Sequence, residues 1–193
     1  KTVIQSKNLG AQTLKVRAYD DVGNYSEPIA HQWYVDQYPP QVIFVKKPLN
    51  LTNLKNDTFE ISSSDIGSGV SHFQCWHNRN EVSCSEKISL VSLSEGTHLF
   101  EVQALDKVGN LSEKIEHKWI TDFTPPVVEF KVVPTKFSAE ESAKFSYQAL
   151  DNNVGPFTFR CQLDGGVWKD CGETFESEVL AEGVHKFLVQ AKD

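Results

Sequence analysis

One short segment of this chain occurs three times. Leu14-Lys15-Val16-Arg17-Ala18-Tyr19-Asp20 returns as Phe100-Glu101-Val102-Gln103-Ala104-Leu105-Asp106 and again as Phe187-Leu188-Val189-Gln190-Ala191-Lys192-Asp193, at spacings of 86 and 87 residues. Self-similarity at a fixed period marks an array of like modules, each a unit of structure that stacks on or follows its neighbour. The 193 residues therefore divide into three pieces. Residues 1–37 are expected to hold the C-terminal strands of an incomplete module, residues 38–123 a complete one, and residues 124–193 a module lacking its last strand. The same period predicts that the polypeptide continues at both ends, with the front half of a module before Lys1 and a Gly-Asn turn and Trp-bearing strand after Asp193. A module of about 86 residues can fold alone, with a modest margin of buried surface.

Within residues 38–123 the hydrophobic pattern has the period of strands. Val42–Val45 is short and apolar, Phe59 and Ile61 share one face, and His98, Phe100, Val102 and Ala104 fall in one phase of a longer run. Seven short strands separated by turn signals, with no useful stretch of helical periodicity, read as an all-β fold of tandem seven-stranded β-sandwich modules. The turn before the last strand is itself repeated: Asp20-Asp21-Val22-Gly23-Asn24 matches Asp106-Lys107-Val108-Gly109-Asn110. Glycine at position 23 or 109 can take a positive φ and close a hairpin, and the leading aspartate can accept backbone N–H bonds inside the turn.

The boundaries between modules repeat as well. Val35-Asp36-Gln37-Tyr38-Pro39-Pro40 matches Thr121-Asp122-Phe123-Thr124-Pro125-Pro126. Paired prolines lack N–H donors and favour an extended, stiff chain, so the linkers are expected to be short and semi-rigid. The four cysteines fall into two pairs, Cys75/Cys84 and Cys161/Cys171, and the first members lie one period apart. Residues that flank a turn at this spacing can come within disulfide distance on two antiparallel strands. Free buried thiols are the alternative; zinc is not, since C-x₂₋₄-C spacing and companion ligands are absent. Disulfides would imply an oxidising, extracytoplasmic setting.

The third piece carries the fullest pattern: Phe159-Arg160-Cys161-Gln162-Leu163-Asp164-Gly165-Gly166 through Cys171, then Gly183-Val184-His185-Lys186-Phe187-Leu188-Val189-Gln190-Ala191-Lys192-Asp193. This resembles the bacterial Ig-like repeats found in tandem in very large secreted or surface-attached proteins, many of them adhesins. In that pattern a Cys pair surrounds an LDGG hairpin, followed by G-x-H-x-F-x-V-x-A-x-D-x-x-G-N, a Trp, and an Asp before the next prolines. The first piece supplies Asp20, Gly23, Asn24, Trp33 and Asp36; the second supplies Gly96, His98, Asp106, Gly109, Asn110, Trp119 and Asp122. The second departs from the pattern with His77-Asn78-Arg79-Asn80 in place of LDGG, and the first has Gln12 in place of the histidine. The resemblance implies a structural segment of an extracellular fibre, stalk or adhesin at the cell surface, without enzymatic activity. Its partners would be neighbouring modules, and self-association into a fibre or a cell-surface ligand is open. A glycan- or protein-binding module, using the loops 65–70 and 151–156, and an accessory region of a secreted hydrolase are the alternatives.

The chain has a net charge of −7, which argues against nucleic-acid binding, where a basic face must meet the phosphates. No apolar stretch reaches the length of a membrane span. Five aspartates invite a calcium hypothesis: Asp20, Asp106 and Asp193 in the turns, and Asp36 and Asp122 at the linkers, because carboxylate oxygens suit a hard cation. Turn and strand-end capping is the competing role, and no cofactor is expected. His98 and His185 face inward and are expected to be hydrogen-bonded packing residues, as are His31 and His117. Trp33 and Trp119 either stack on a sugar or fill a module end, and Trp76 and Trp168 sit beside the cysteine hairpins to cover them. Asn50 and Asn56 stand in N-x-S/T sequons of a polar loop and are modified only if the host glycosylates.

Overall fold

The computed structural model of the chain describes residues 9–152 and 155–193. It forms two compact units, Lys1–Asp122 and Phe123–Asp193. Every regular element among the described residues is a strand, and no helix is long and apolar enough to cross a membrane.

The first unit opens with an antiparallel hairpin, β1 (Gly10–Val16) against β2 (Ile29–Val35), in register from Gly10 opposite Val35 to Val16 opposite Ile29. Eight strands follow: β3 (Gln41–Lys46), β4 (Leu51–Thr52), β5 (Asp57–Ser64), β6 (Val70–His77), β7 (Asn80–Val82), β8 (Lys87–Leu90), β9 (Gly96–Asp106) and β10 (Ile115–Thr121). They build two sheets, β3-β5-β8 and β4-β10-β9-β6-β7. The expectation of seven strands here is corrected to eight. The extra one, β4, is two residues long and pairs in parallel with Ile120 and Thr121 at the end of β10. A strand that short carries no alternation, so the hydrophobic pattern could not announce it.

One core joins the two sheets. Val42, Phe59, Ile61, Ile88 and Leu90 come from the first, and Cys75, Phe100, Val102, Ala104 and Trp119 from the second. At its centre the rings of Phe59 and Phe100 stack with centroids 4.3 Å apart, and Trp119 meets Phe59 edge-on at 5.4 Å. Alternation produces this directly: β9 buries every second residue from His98 to Asp106.

The second unit contains β11 (Val127–Val132), β12 (Lys144–Leu150), β13 (Thr158–Leu163), β14 (Lys169–Cys171), β15 (Thr174–Glu176) and β16 (Phe187–Lys192). They pair as β11-β12-β15 and β14-β13-β16. The repeat in sequence is a repeat in structure. Phe145 stacks on Phe187 at 4.2 Å, as Phe59 does on Phe100 one period earlier. A register shift between Phe130 and Val132 matches the one between Phe44 and Lys46. The difference lies beside β16. Phe100, Val102 and Ala104 are fully buried on a strand that β10 pairs along one side, whereas Phe187, Val189 and Ala191 are only half-buried. Taken together the described residues form an all-β, multi-sheet architecture consistent with an immunoglobulin- or fibronectin-III-type fold, with several separate sheets and no closed barrel among them.

The stacked pair sets the expected cost of opening the core. Phe59→Ala or Phe100→Ala removes a fully buried ring and should lower the stability of the first unit by about 3–5 kcal/mol. Urea unfolding followed by tryptophan fluorescence measures this, and a loss below about 1 kcal/mol would mean the ring is not central to the core.

Candidate functional site

The repeated turn is a cage of hydrogen bonds around one carboxylate. Asp106 Oδ1 accepts the backbone N–H groups of Val108 (3.0 Å), Gly109 (2.7 Å) and Asn110 (2.8 Å), while Oδ2 accepts the Asn110 side-chain amide at 2.7 Å. The turn closes through Asp106 N–H donating to the Asn110 carbonyl, and Gly109 holds φ 99°, a conformation that needs glycine. The Asp20 turn repeats this: Oδ1 accepts from Val22 and Asn24, Oδ2 from the Asn24 amide, and Gly23 has φ 93°. A serine two residues past each turn completes the match. Ser26 Oγ accepts the Ala18 N–H, and Ser112 Oγ accepts the Ala104 N–H, both at 2.9 Å. That pair of serines was readable from the period and was missed because serine carried no distinctive chemistry in the pattern.

The Asp106 turn also grips the preceding linker. The Asn110 amide reaches the carbonyls of Asp36 (3.3 Å) and Tyr38 (3.5 Å). Asp36 in turn accepts the Ser68 N–H at 2.6 Å through Oδ2 and the Tyr38 N–H at 3.1 Å through Oδ1. Pro40 is buried and Pro39 exposed. Loop residue Asp65 joins them: its Oδ2 accepts from Gly67 (3.0 Å) and Gly69 (2.6 Å). Gly67 is required here, because a Cβ would fall 2.1 Å from the Asp36 carboxylate.

Three carboxylates thus converge. Asp36, Asp65 and Asp106 each offer an oxygen, all within 4.8 Å of one another. Like charges this close repel unless donors or a cation intervene. The backbone donors supply much of that compensation, while Asp65 Oδ1 is buried with no hydrogen-bond partner. Oxygen ligands at this spacing have the chemistry of a hard divalent-cation site. The sequence pointed to Asp36 and Asp106. It did not point to Asp65, although Asp151 stands one period later, because the residues after each diverge. Asp20 lies in its own exposed turn, and Asp122 is buried at the end of β10, its N–H donating to Thr52.

The electrostatics follow the hydrogen bonds. The Ser68 N–H is the main cause holding the Asp36 carboxyl below its ordinary value of 3.8. Burial pushes Asp106 up, but the Asn110 backbone and side-chain donors, with Val108 and Gly109, outweigh it and leave the carboxyl lowered. Asp20 is lowered chiefly by the Asn24 side chain.

Cys75 is bonded to Cys84 and Cys161 to Cys171, with Cα separations of 6.1 and 6.0 Å. The cysteines are not cross-strand partners: Cys75 faces Val82, and Cys171 faces Phe159. Tyr147 covers the second bridge, its hydroxyl 3.0 Å from Cys161 Sγ. Trp76 carries the Lys114 ammonium over its ring at 4.1 Å. Trp119 is 1% exposed, so sugar stacking is excluded for it; Trp33 is on the surface, stacked with His31. His117 is buried and bonds the Pro48 carbonyl. Asn50 and Asn56 are exposed, the latter capping Ser92 N–H. Of the loop 151–156, residues 153 and 154 lie outside the described residues.

No protein-family profile matches the chain, and no curated protein matches it. Solved structures that are similar in fold include the fibronectin(III)-like modules of CbhA from Clostridium thermocellum, at 16% identity and a TM-score of 0.40 over 78% of this chain and 85% of that one. The central fibronectin-III array of RIM-binding protein gives 12% identity and a TM-score of 0.31, over 80% of this chain and 62% of that one. Dimeric latent PorU from Porphyromonas gingivalis gives 12% identity and a TM-score of 0.33, over 95% of this chain and 21% of that one.

The lowered carboxyls fix a pH dependence. Their folded values lie below the unfolded 3.8, so the contribution of Asp36 and Asp106 is full above that value and is lost as pH falls through the folded ones. Stability of the first unit should therefore drop steeply below about pH 4, and Asp36→Asn with Asp106→Asn should flatten the slope. Thermal unfolding across that range reads it; an unchanged slope in the double variant contradicts the assignment.

Proposed function

We propose that this chain is a structural repeat segment of an extracellular fibre, stalk or adhesin, acting as a semi-rigid, disulfide-stabilised and non-enzymatic spacer of tandem Ig-like sandwich modules. The observation that carries this reading is the grip on the linker. Asn110 and Ser68, from two different loops, hold Asp36 and Tyr38 at the point where one repeat passes into the next. A linker held by hydrogen bonds on one side and stiffened by Pro39-Pro40 transmits direction along a chain, which is what a spacer must do. The module boundaries at residues 37 and 123 follow from the same repeated linker sequence.

Two further features support the reading. Each hairpin is closed by a short disulfide, at sequence separations of 9 and 10, and the loop-entropy model gives such a closure roughly 2.5 kcal/mol. Bonds of this kind persist in oxidising surroundings outside the cytoplasm. In addition, Asn110 and Asp36 belong to parts of the repeat that recur in sequence, the turn and the Asp before the prolines, while the Ser68 N–H comes from a loop that differs between repeats.

Protease treatment of intact source cells tests the placement. The spacer reading expects peptides from this chain to be released from the surface, with Cys75–Cys84 and Cys161–Cys171 linked when mapped without reductant. Protection of the chain in intact cells, with free thiols, would contradict it. Retention of the isolated chain on a glycan array would instead favour the ligand-binding alternative.

A further inference from the structure

The histidine that recurs one period apart, His98 and His185, sits in two hydrogen-bonding environments of opposite sense. The hairpin turn that faces it has the same backbone in both units. Asn78 and Asp164 occupy equivalent places in two-residue hairpin turns, with φ 50° at each and φ 68° and 70° at the following Arg79 and Gly165. Asn78 Oδ1 accepts the Leu99 N–H at 2.9 Å, and Asp164 Oδ1 accepts the Lys186 N–H at 2.7 Å. What differs is what the ring meets.

In the second unit both ring nitrogens of His185 face acceptors. Nδ1 is 2.6 Å from Asp164 Oδ2, and Nε2 is 2.8 Å from the Ala181 carbonyl. A doubly protonated imidazolium satisfies this arrangement completely. Glu140, Glu141 and Glu182 line the same groove and outnumber its lysine, Lys136, in charge. In the first unit His98 is 2% exposed, and only one of its nitrogens faces a carbonyl. Nε2 lies 2.8 Å from the Ser94 carbonyl, which can only accept, so Nε2 carries the proton of the neutral ring. Nδ1 must then accept, and it faces His77 Nε2 at 3.0 Å and the Asn78 amide nitrogen at 3.4 Å. The Asn78 amide cannot turn its oxygen inward, since that oxygen holds Leu99. The contact between His77 Nε2 and His98 Nδ1 has room for one proton, so charging both histidines would set two N–H groups against each other and put two cations at a centroid separation of 5.1 Å. Trp119 covers the other face of His98, also at 5.1 Å.

We propose that the two units respond to acid in opposite directions, the first loosening and the second tightening, because the hairpin facing the repeated histidine carries His77-Asn78 in one and Leu163-Asp164 in the other. The remaining groups fit this sense. His77 is lowered from 6.5 by its burial and then by His98, and His117 is lowered by its burial and then by Lys47 beside it. Stability from these groups is full above 6.5 and is lost as pH falls through the folded values. His185 is raised from 6.5, chiefly by the Asp164 side chain; its contribution is full below 6.5 and is lost as pH rises through the folded value. One group in the first unit acts against the trend. Asp57, buried near His98 and His117 with the Trp119 indole short of a hydrogen bond to it, is raised by its burial and gains on protonation.

Amide hydrogen exchange of the whole chain at about pH 7.5 and about pH 5, corrected for intrinsic rates, reads the two units separately across the window where histidine titrates. On acidification, protection along β9 should fall several-fold and protection along β16 should rise. Asp164→Asn, an exposed change that an asparagine tolerates at positive φ, should abolish the rise in the second unit. The exchange of turns in the first unit, His77→Leu with Asn78→Asp, should remove or reverse its fall, and Asp57→Asn should deepen it. Protection that moves in the same direction in both units of the wild type, or an undiminished rise in the Asp164→Asn variant, overturns the proposal.

Discussion

The carboxylate of Asp106 is the point on which the first unit turns. It accepts three consecutive backbone N–H groups and the Asn110 amide, so a tight turn with a left-handed glycine becomes a fixed object. Fixing Asn110 places its amide where it can also hold the carbonyls of the preceding linker. A single local device thereby does two things. It ends β9 and starts the return to β10, and it ties the entering chain to the module. Asp36 adds a second tie through Ser68, and the close approach of Gly67 is possible only without a side chain there. Local turn chemistry, usually a matter of one hairpin, here reaches the chain that enters from the preceding repeat.

The period carried a large share of this into view. The three-fold recurrence located the strand that becomes β9, and two-fold recurrences located the Asp-x-x-Gly-Asn turn and the proline linkers, because each is built from residues whose spacing is fixed by backbone geometry. Phe59 and Phe100 were legible as inward residues from alternation alone. Asp65 was not, because the residues that follow it differ from those that follow Asp151; only folding shows that the loop returns to Asp36. β4 was hidden for a different reason. Two residues pairing in parallel with a distant strand leave no pattern, since the pairing is decided by the Asn50 and Thr52 carbonyls meeting Ile120 and Asp122. Trp119 looked the same on paper as Trp33, yet one is core and the other surface, a distinction set by which sheet lies opposite.

The hairpin substitution shows how a constant repeat accommodates local chemistry. The His77-Asn78-Arg79-Asn80 turn keeps the backbone of the Leu163-Asp164-Gly165-Gly166 turn, including its positive φ angles. It replaces a carboxylate by an amide and adds an imidazole stack running from His77 through His98 to Trp119 and His117. The frame of strands and disulfides tolerates this because the turn's own hydrogen bonds to the neighbouring strand, at Leu99 and Lys186, are made equally well by either side chain. Sequence alone identified the departure from the pattern but not its consequence, which depends on cross-strand register.

In the proposed reading the linker between repeats is held and does not swing. Backbone nitrogen relaxation of residues 36–40, compared with the strands β3 and β5, tests it most directly. Order parameters for Asp36, Gln37 and Tyr38 are expected near the rigid value of about 0.85. A clear drop is expected in Asp36→Ala/Asn110→Ala. Values below about 0.6 in the wild-type chain, unchanged in that variant, would show a loose tether and contradict the reading of this protein as a semi-rigid spacer.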